Sequence, residues 1–403
     1  MMQLFLFEDR HFHSFHPLTL TRPVDDLRVG ILTIREKWEY SLDASVTTRN
    51  LRKVLHGIFK APSLNPDKDC YLINARLFPD KRLINEILSL QPNEGLSHND
   101  LLLAGRISGK KGNSWKNDFP ENPGNLLKLK NYEPSRIITG IWNLFKLNGE
   151  EIQSDIKLIN PVLLEKSATI SPRSLLENID EIYIGKNVVI ETGAVVTARE
   201  GPVFIGDGAM LMAGSITRGP TAICEGSTLK MGAKIYGNTT IGPVCKVGGE
   251  VSNVIFHSYT NKAHDGYAGN SLFGQWCNLG ADTNTSNLKN NYGTIKFTDW
   301  HTRKDQDTGE QFLGTVMGDH SKTGINAMLN TGTNCGVCCN LFSHGYPPKL
   351  IPSFSWVNSE NSTIYQFDKA VETMERTMAR RNVQLTPEYI NMMKHIFDHR
   401  VDS

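Results

Sequence analysis

The sequence predicts an α/β domain at the N-terminus, a parallel β-helix in the middle and helices at the C-terminus. Three observations support this prediction. Strand-like and helix-like segments alternate over the first part of the chain, an aliphatic residue then returns at every sixth position, and methionine and aromatic residues finally recur at helical spacing. The changes between these patterns predict domains over residues 1–155, 156–350 and 351–403.

The N-terminal segments alternate between two kinds of pattern. The apolar runs "QLFLF", "CYLINARL" and "DLLLAG" predict buried strands, and "PDKRLINEILSL" predicts a helix. A second amphipathic helix is predicted over "SRIITGIWNLFKL", with Ser135 as its N-cap. Alternating strands and helices are typical of an α/β layer structure, so we expect a mostly parallel sheet.

The middle of the chain has a period of six. Aliphatic residues recur at Ile184, Ile190 and Val196 and, after a short offset, at Ile205, Leu211, Ile223, Leu229, Ile235, Ile241 and Val247, with Thr217 as the one interruption of the second series. The same six-residue spacing returns at Met317, Thr323, Leu329, Cys335 and Leu341. This period matches neither a helix nor a simple strand, and it indicates a parallel β-helix whose recurring residue points inward. The polar stretch from Lys289 to Phe312 breaks the period, so we expect a loop there.

The C-terminal residues predict an extended segment followed by two helices. The segment "GYPPKLIPSFSW" is too rich in proline for a helix, so we expect it to lie extended across the surface. Two helical stripes follow, one of Ile364, Phe367, Val371, Met374 and Met378 and one of Tyr389, Met393 and Phe397. We interpret them as packing faces that cap the β-helix or dock on a neighbouring subunit.

Composition limits the class of partner. Lysine plus arginine number 43 against 42 for aspartate plus glutamate, which argues against nucleic acid or an anionic membrane and favours small-molecule ligands. No apolar run approaches the length of a membrane span, and the opening lacks the features of a signal peptide, so we expect a cytoplasmic protein. The seven cysteines predict reduced thiols, and "HFHSFH" and "CGVCCN" lack the spacing of a complete metal site.

The stretch from Asn261 to Gly293 contains the residues that point to chemistry. His264 and Tyr267 are followed at fixed distance by "NLGADT" and then by Asn287. This frame resembles the acetyltransferase half of the bifunctional family of N-acetylglucosamine-1-phosphate uridyltransferases joined to glucosamine-1-phosphate acetyltransferases. The six-residue repeats are similar to those of the hexapeptide-repeat acyltransferases, which implies a left-handed β-helix and a homotrimer.

The resemblance implies an acetyl-CoA-dependent N-acetyltransferase that acts on an amino-sugar-1-phosphate or a nucleotide-linked amino sugar. His264 is the candidate general base, because a neutral imidazole can remove a proton from the attacking amine. The amides of Gly280 and Ala281 are candidates for stabilising the oxyanion. By resemblance, acetyl-CoA lies against Ala281, Asn287 and Leu288, and the sugar phosphate lies near Lys230, Tyr267 and Asn278. Lys230 stands where the family usually has arginine.

The N-terminal region resembles a shortened sugar nucleotidyltransferase domain, on the evidence of "HPLTLTRPVDDLRVG" after the first strand. The glycines that cradle nucleotide phosphates in that family are replaced by Arg10 and Phe12. The alternative hypothesis is therefore a sugar-1-phosphate nucleotidyltransferase, of uridylyl or thymidylyl type, that uses magnesium. A rebuilt nucleotide site would contain Arg22, Asp26 and Arg28. A third hypothesis is a scaffold without catalysis.

Overall fold

The computed structural model describes residues 2–358 and 361–400, which form two compact units. The first unit contains the chain up to Phe15 together with Arg22–Leu27 and Leu32–Ile141. The second contains His16–Thr21, Arg28–Ile31 and the chain from Trp142 onward. Among the residues described, no helix has the length and apolar character needed to cross a membrane.

The first unit is built on one sheet. Its strands are β1 Gln3–Phe7, β2 Val46–Arg49, β3 Asp69–Asn74, β4 Glu94–His98, β5 Leu101–Ser108 and β6 Lys128–Asn131, in the spatial order β2-β1-β3-β5-β4-β6. Its helices are α1 Ile34–Leu42, α2 Lys81–Ser89 and α3 Gly109–Asn117. Three of the five strand pairings are parallel, which confirms the predicted mostly parallel sheet, and β5 adds two antiparallel pairings.

One predicted helix begins later than the sequence indicates. Helix α4 covers Asn143–Ile159, and Ser135 does not cap it. The Ser135 hydroxyl instead donates to Asp80, the N-cap residue of α2. The backbone after Ser135 pairs with the chain before α2, since the amide of Ile138 donates to the carbonyl of Arg76 at 3.0 Å. These hydrogen bonds hold the segment extended against its helical pattern.

The second unit is dominated by a parallel β-helix with three faces, as predicted. The first face contains β7 Thr169–Ile170, β10 Val189–Ile190, β13 Met210–Leu211, β16 Thr228–Leu229, β19 Lys246–Val247, β21 Asn261–Lys262, β27 Lys322–Thr323, β30 Asn340–Leu341 and β32 Ser355–Val357. The second contains β8 Leu175–Glu177, β11 Val195–Thr197, β14 Ile216–Arg218, β17 Lys234–Ile235, β23 Asn284–Thr285 and β28 Met328–Leu329. The third contains β9 Ile182–Ile184, β12 Val203–Ile205, β15 Thr221–Ile223, β18 Thr239–Ile241, β26 Thr315–Met317, β29 Thr333–Cys335 and β31 Leu350–Ile351. Two long strands, β20 Glu250–Phe256 and β22 Tyr267–Phe273, run across the second and third faces.

The residues that recur every sixth position point into the prism. Each periodic aliphatic residue from Ile184 to Val247 is at most 2% exposed, and Cys335 and Leu341 belong to the same core. Thr217, which interrupts the series, is also fully buried. The burial of these apolar side chains stabilises the stack of coils. Each coil contacts only its neighbours, so the apolar area is buried between adjacent coils.

Three segments differ from the expectations. The proline-rich segment does not lie across the surface; it forms β31 and β32, and Phe354 between them is buried. The predicted loop contains an antiparallel hairpin, β24 Lys296–Thr298 with β25 Asp305–Asp307, and Phe297 of β24 is buried. Ile364 lies in β33 Ser362–Ile364, which pairs with β32, and not in the helix that follows.

The two C-terminal helices are confirmed as α5 Phe367–Ala379 and α6 Pro387–Asp398. Met374, Met378 and Met393 are buried, as the packing interpretation predicted. The ring of Phe354 in the last coil lies 6.1 Å from that of Phe367 and 5.1 Å from that of Phe397. The two helices therefore pack on the C-terminal coils of the β-helix.

Candidate functional site

The turn that carries His264 lies at a corner of the prism, between β21 and β22. The His264 side chain is exposed. Gly266 closes the turn with φ of +106°, and a Cβ there would lie 2.3 Å from the carbonyl oxygen of Thr283. Only glycine fits this approach of two backbones, so the turn is tightly held against the next coil.

The "NLGADT" turn lies at the same corner one coil later. Asn278 bridges to Asn261 on one side and to Lys322 on the other. The Gly280 amide donates to the hydroxyl of Thr323 at 2.9 Å. The Ala281 amide has no hydrogen-bond acceptor among the described residues. Ala281 therefore contributes an amide without an acceptor among the described residues to this turn.

A cavity of about 510 Å³ lies at this corner. It brings together four of the predicted residues: His264, Asn278, Gly280 and Ala281. Its floor is the outward-pointing column of the first face, which runs through Lys246, Asn261, Asn278 and Lys322. The rings of Tyr259 and Trp276 also line it and stack in parallel at 4.1 Å.

The cavity is strongly cationic. Lys246 and Lys322 line it together with Arg380 and Arg381, which follow the last turn of α5, and no described carboxylate lines it. Burial lowers the pKa of Lys246, and the charges of Arg381, Lys230 and Arg380 lower it further. Burial also lowers the pKa of Lys322, whose Nζ donates to the carbonyl oxygen of His320 at 2.8 Å. Such a cluster favours an anionic ligand.

Sequence reasoning missed these four cations. Lys246 and Lys322 each precede a buried residue of the repeat, so the period places them outward, but it does not indicate that they share a cavity. Arg381 is oriented by a hydrogen bond from its Nη2 to Asn261 Oδ1 at 3.0 Å. The pair "RR" at the end of the first C-terminal stripe is the sequence signal for these arginines, but helical periodicity indicates only a packing face there.

The other predicted residues lie outside this cavity. Asn287 Nδ2 donates to the Tyr267 hydroxyl at 3.2 Å and to Asn270 Oδ1 at 2.7 Å. Burial raises the pKa of Tyr267. Leu288 bridges to the segment after the hairpin, and Lys230 follows β16 on the first face. The structure thus pairs Tyr267 with Asn287 and separates both from the cavity lining.

The first unit has its own cavity, of about 620 Å³, at the carboxyl ends of β1 and β2. Its lining includes Glu8, Asp9, Arg10 and Arg52. Strand β1 pairs with β2 on one side and with β3 on the other, so the chain order reverses there. Ligands of open α/β sheets bind at such a switch point.

The two carboxylates that follow β1, Glu8 and Asp9, are already paired. Glu8 Oε2 accepts from Arg52 Nε at 3.0 Å, and Asp9 Oδ2 accepts from Arg76 Nη2 at 2.6 Å. Among the residues described, no three potential metal ligands come together. Glu8 and Asp9 therefore do not fit a magnesium site in this arrangement, because each would first have to release an arginine.

The residues predicted for a rebuilt nucleotide site are divided between the two units. Arg22 and Asp26 belong to the first unit, where Arg22 is 2% exposed and its Nη1 lies 3.9 Å from Asp26 Oδ2. Arg28 belongs to the second unit and donates to the carbonyl of Ile31. None of the three lines the cavity of the first unit.

Comparisons with known proteins match both parts of the chain. The model of the family described as sugar nucleotidyl transferase matches residues 4–161. The bifunctional protein GlmU of Methanocaldococcus jannaschii is 29% identical over 212 residues, which are 53% of this chain and 47% of that protein. The GlmU of Synechococcus elongatus is 29% identical over 178 residues, 44% of this chain and 33% of the relative. The GlmU of Buchnera aphidicola is 24% identical over 337 residues, 77% of this chain and 63% of the relative.

The solved structures that match this chain are less similar to it in sequence than these relatives are. The UDP-N-acetylglucosamine acyltransferase of Francisella novicida matches 58% of this chain and 78% of its own, at 14% identity and a TM-score of 0.23. That of Campylobacter jejuni matches 59% of this chain and 96% of its own, at 12% identity and a TM-score of 0.24.

The curated relatives are longer than the part they share with this chain. The matches span less than two thirds of the length of each of these three relatives. All three have the same name, and the family match at the N-terminus agrees with it. The resemblance inferred from the residues is therefore confirmed, and the protein is a distant relative of the bifunctional GlmU proteins.

Proposed function

We propose that the protein is a transferase that moves an acetyl group from acetyl-CoA to the amine of an amino-sugar-1-phosphate or a nucleotide-linked amino sugar. One observation carries the proposal. The exposed His264, Ala281 with its amide free of any described acceptor, and four cations share one cavity whose described lining contains no carboxylate. Both substrates carry phosphate groups, which such a cavity would attract.

His264 acts as the general base in this proposal. It removes a proton from the amine as the amine attacks the thioester carbonyl, so that a C–N bond forms and the C–S bond then breaks. The thiol of CoA leaves with a proton. The Ala281 amide donates to the oxygen that becomes negative during the attack. The Gly280 amide, which donates to Thr323, holds the turn in place.

The cations and aromatic rings divide the remaining roles. Arg380 and Arg381 offer guanidinium groups, which suit the phosphates of either substrate because each can donate two hydrogen bonds. The stacked rings of Tyr259 and Trp276 offer a flat apolar surface for a base or a sugar. In the family resemblance, Tyr267, Asn287, Leu288 and Lys230 also bind substrate; these residues would contact it from a neighbouring prism or from outside this cavity.

We propose that the protein assembles as a homotrimer. Large apolar side chains are exposed on the β-helix, among them Met231, Ile325 and Phe342, which are 68%, 75% and 44% exposed. Ile325 also lines the cavity of His264. A contiguous patch of exposed apolar side chains is typical of a protein interface, and assembly would bring such side chains together. Light scattering tests the assembly: a mass three times that of the chain supports it, and a monomer contradicts it.

A free-thiol assay tests the reaction. Purified protein is incubated with acetyl-CoA and, in separate reactions, with glucosamine-1-phosphate, glucosamine or no acceptor. Thiol release that requires the amine and is faster with the phosphorylated sugar supports the proposal. Thiol release that is equal in all three reactions contradicts it, as does the absence of release across acyl donors of different length.

A second activity is supported by a separate observation. The family match over residues 4–161 and the cavity at the switch point of the first sheet favour a sugar-1-phosphate nucleotidyltransferase. Pyrophosphate release from a panel of nucleoside triphosphates with sugar-1-phosphates tests it. Because Glu8 and Asp9 are paired with arginines, we derive no metal-dependent step for this cavity.

A further inference from the structure

A lysine occupies the interior of the β-helix directly before His264. The first face stacks one inward-pointing residue on another from coil to coil. In that column stand Ile190, Leu211, Leu229, Val247 and then Lys262. The Lys262 side chain is only 1% exposed. A charged group thus stands where the preceding coils place aliphatic residues.

The ammonium of Lys262 is fully engaged by backbone. Its Nζ donates to the carbonyl oxygens of Gly248 at 3.1 Å, His264 at 3.1 Å and Gly266 at 2.7 Å. An ammonium has three donors, so the three acceptors use all of them. Two of these carbonyls belong to the turn that carries His264, and the third belongs to the preceding coil. The lysine therefore ties that turn to its neighbour.

The space around this ammonium excludes other side chains. Gly249 has φ of +71°, and a Cβ there would lie 2.7 Å from Lys262 Nζ, 2.6 Å from the carbonyl oxygen of Gly266 and 2.9 Å from that of His264. A side chain at Gly249 would push on the ammonium and on both carbonyls of the turn. The arrangement is therefore built from backbone atoms and one lysine.

Stability alone does not account for a lysine at this position. An aliphatic residue of similar length would fill the prism without burying a charge, and replacing buried charges by apolar groups is often neutral or stabilising. Burial lowers the pKa of Lys262 to about 8, so the charged form is disfavoured there. The lysine adds three hydrogen bonds to backbone carbonyls. Two of these carbonyls, those of His264 and Gly266, lie on either side of Asp265 in the turn that carries the His264 imidazole.

We propose that Lys262 is a positioning residue that fixes the turn of His264 so that its imidazole reaches the amine of the acceptor. The inference rests on the proposed acyl transfer. Small displacements of a reacting group lower rates strongly, by about 100-fold for about 1 Å. Lys262 does not contact substrate, because it is buried in the prism.

The test compares side chains with different numbers of donors. Lys262→Gln keeps two donors without charge, Lys262→Met keeps the length without a donor, and Leu229→Met is a matched change in the same column. We expect kcat for thiol release to fall in the order lysine, glutamine, methionine, with at least about a 10-fold loss for methionine. We expect KM of both Lys262 variants to stay within about 2-fold of the wild-type value, and the melting temperature of Lys262→Met at pH 7 not to fall. Leu229→Met should match the wild type in kcat and in melting temperature.

The outcomes separate the two proposals. A kcat that follows the melting temperature, or a Lys262→Met variant as active as the wild type, would overturn the positioning role. If the wild type releases no thiol, the proposed acyl transfer fails. Hydrogen exchange of the Glu250 and Asp282 amides, which donate to the carbonyls of Gly266 and Asp265 in this turn, then decides the role of Lys262. Exchange at least about 10-fold faster in folded Lys262→Met supports it, and unchanged exchange overturns it.

Discussion

The buried ammonium of Lys262 predicts a specific dependence of stability on pH. Its pKa in the folded protein is lowered to about 8 by burial, against opposing effects of Asp265 and Asp282, from an ordinary value of 10.5. Between these two values the unfolded chain binds more protons than the folded one. The free energy of unfolding therefore rises with pH over this window, and it is lowest where Lys262 is charged in both states.

The size of this change follows from the difference in pKa. The interval between about 8 and 10.5 corresponds to about 3 kcal/mol for one group. Other groups contribute equally to the wild type and to Lys262→Met, so the variant isolates the lysine. We expect the stability difference between the two proteins to shift by about 3 kcal/mol in favour of the wild type between pH 7.5 and pH 10.5.

Urea unfolding followed by circular dichroism measures this shift. Curves are recorded for the wild type, Lys262→Met and Leu229→Met at several pH values in the window. The lysine variant should lose the rise with pH, and the leucine variant should keep it. Parallel pH dependence in all three proteins would refute the idea that a charged lysine is buried in the prism.

Three further changes have defined outcomes. Gly30→Ala should lower the free energy of unfolding by about 2 kcal/mol or more, because φ is +83° and a Cβ would lie 2.4 Å from Asp155 Oδ2. Gly208→Ala, at a glycine with φ of +68° and open space around it, is the matched control in urea unfolding. Equal losses of stability in the two variants would contradict the clash at Gly30. Replacing both Arg380 and Arg381 by alanine should raise KM for acetyl-CoA or the sugar phosphate at least about 10-fold at low salt. The control Arg376→Ala should not raise KM, because the Arg376 guanidinium pairs with Glu372 on α5. Equal effects of the two changes in steady-state kinetics would refute the anion site. Thr33→Ala should cost about 1 kcal/mol, because it removes the capping box with Glu36 at the start of α1, and calorimetry that shows no change would contradict it.

The end of the motif "DLRVG" is held in place by hydrogen bonds of Gly30 and of the residue after it. The Gly30 amide donates to Asn148 Oδ1 at 2.7 Å, and its carbonyl accepts from the Thr240 hydroxyl at 2.9 Å. The Ile31 amide donates to Asp155 Oδ2 at 2.8 Å. The segment is therefore fixed against α4 and the β-helix, and its role at this point is structural.

The sequence predicted the β-helix because its signal is local and repeated. Leu229 and Val247 are 18 residues apart, as three hexapeptides require. Val247 and Lys262 are only 15 apart, because β20 runs across two faces without a full corner. The six-residue period therefore does not extend to Lys262. Only the pairing of β19 with β21 shows that this lysine occupies an interior position.

The candidate site was predictable only in part. The frame from His264 to Ala281 is contained in one coil and a fraction of the next, so short-range spacing was enough to bring four residues to one cavity. Arg380 and Arg381 reach the same cavity through the docking of α5, a tertiary contact that helical periodicity does not specify. Tyr267 and Asn287 share the frame in sequence, but they lie past a corner of the prism and line a different surface.

The most direct test of the proposed acyl transfer is the turnover number of His264→Ala for thiol release from acetyl-CoA with an amino-sugar phosphate. A general base contributes about 100-fold or more to the rate, so kcat should fall by at least that factor while KM stays within a few-fold. His344→Ala, an exposed histidine outside the cavity, should keep wild-type kinetics. Unchanged turnover in His264→Ala, in a protein that releases thiol only with the amine present, would contradict the central role of His264.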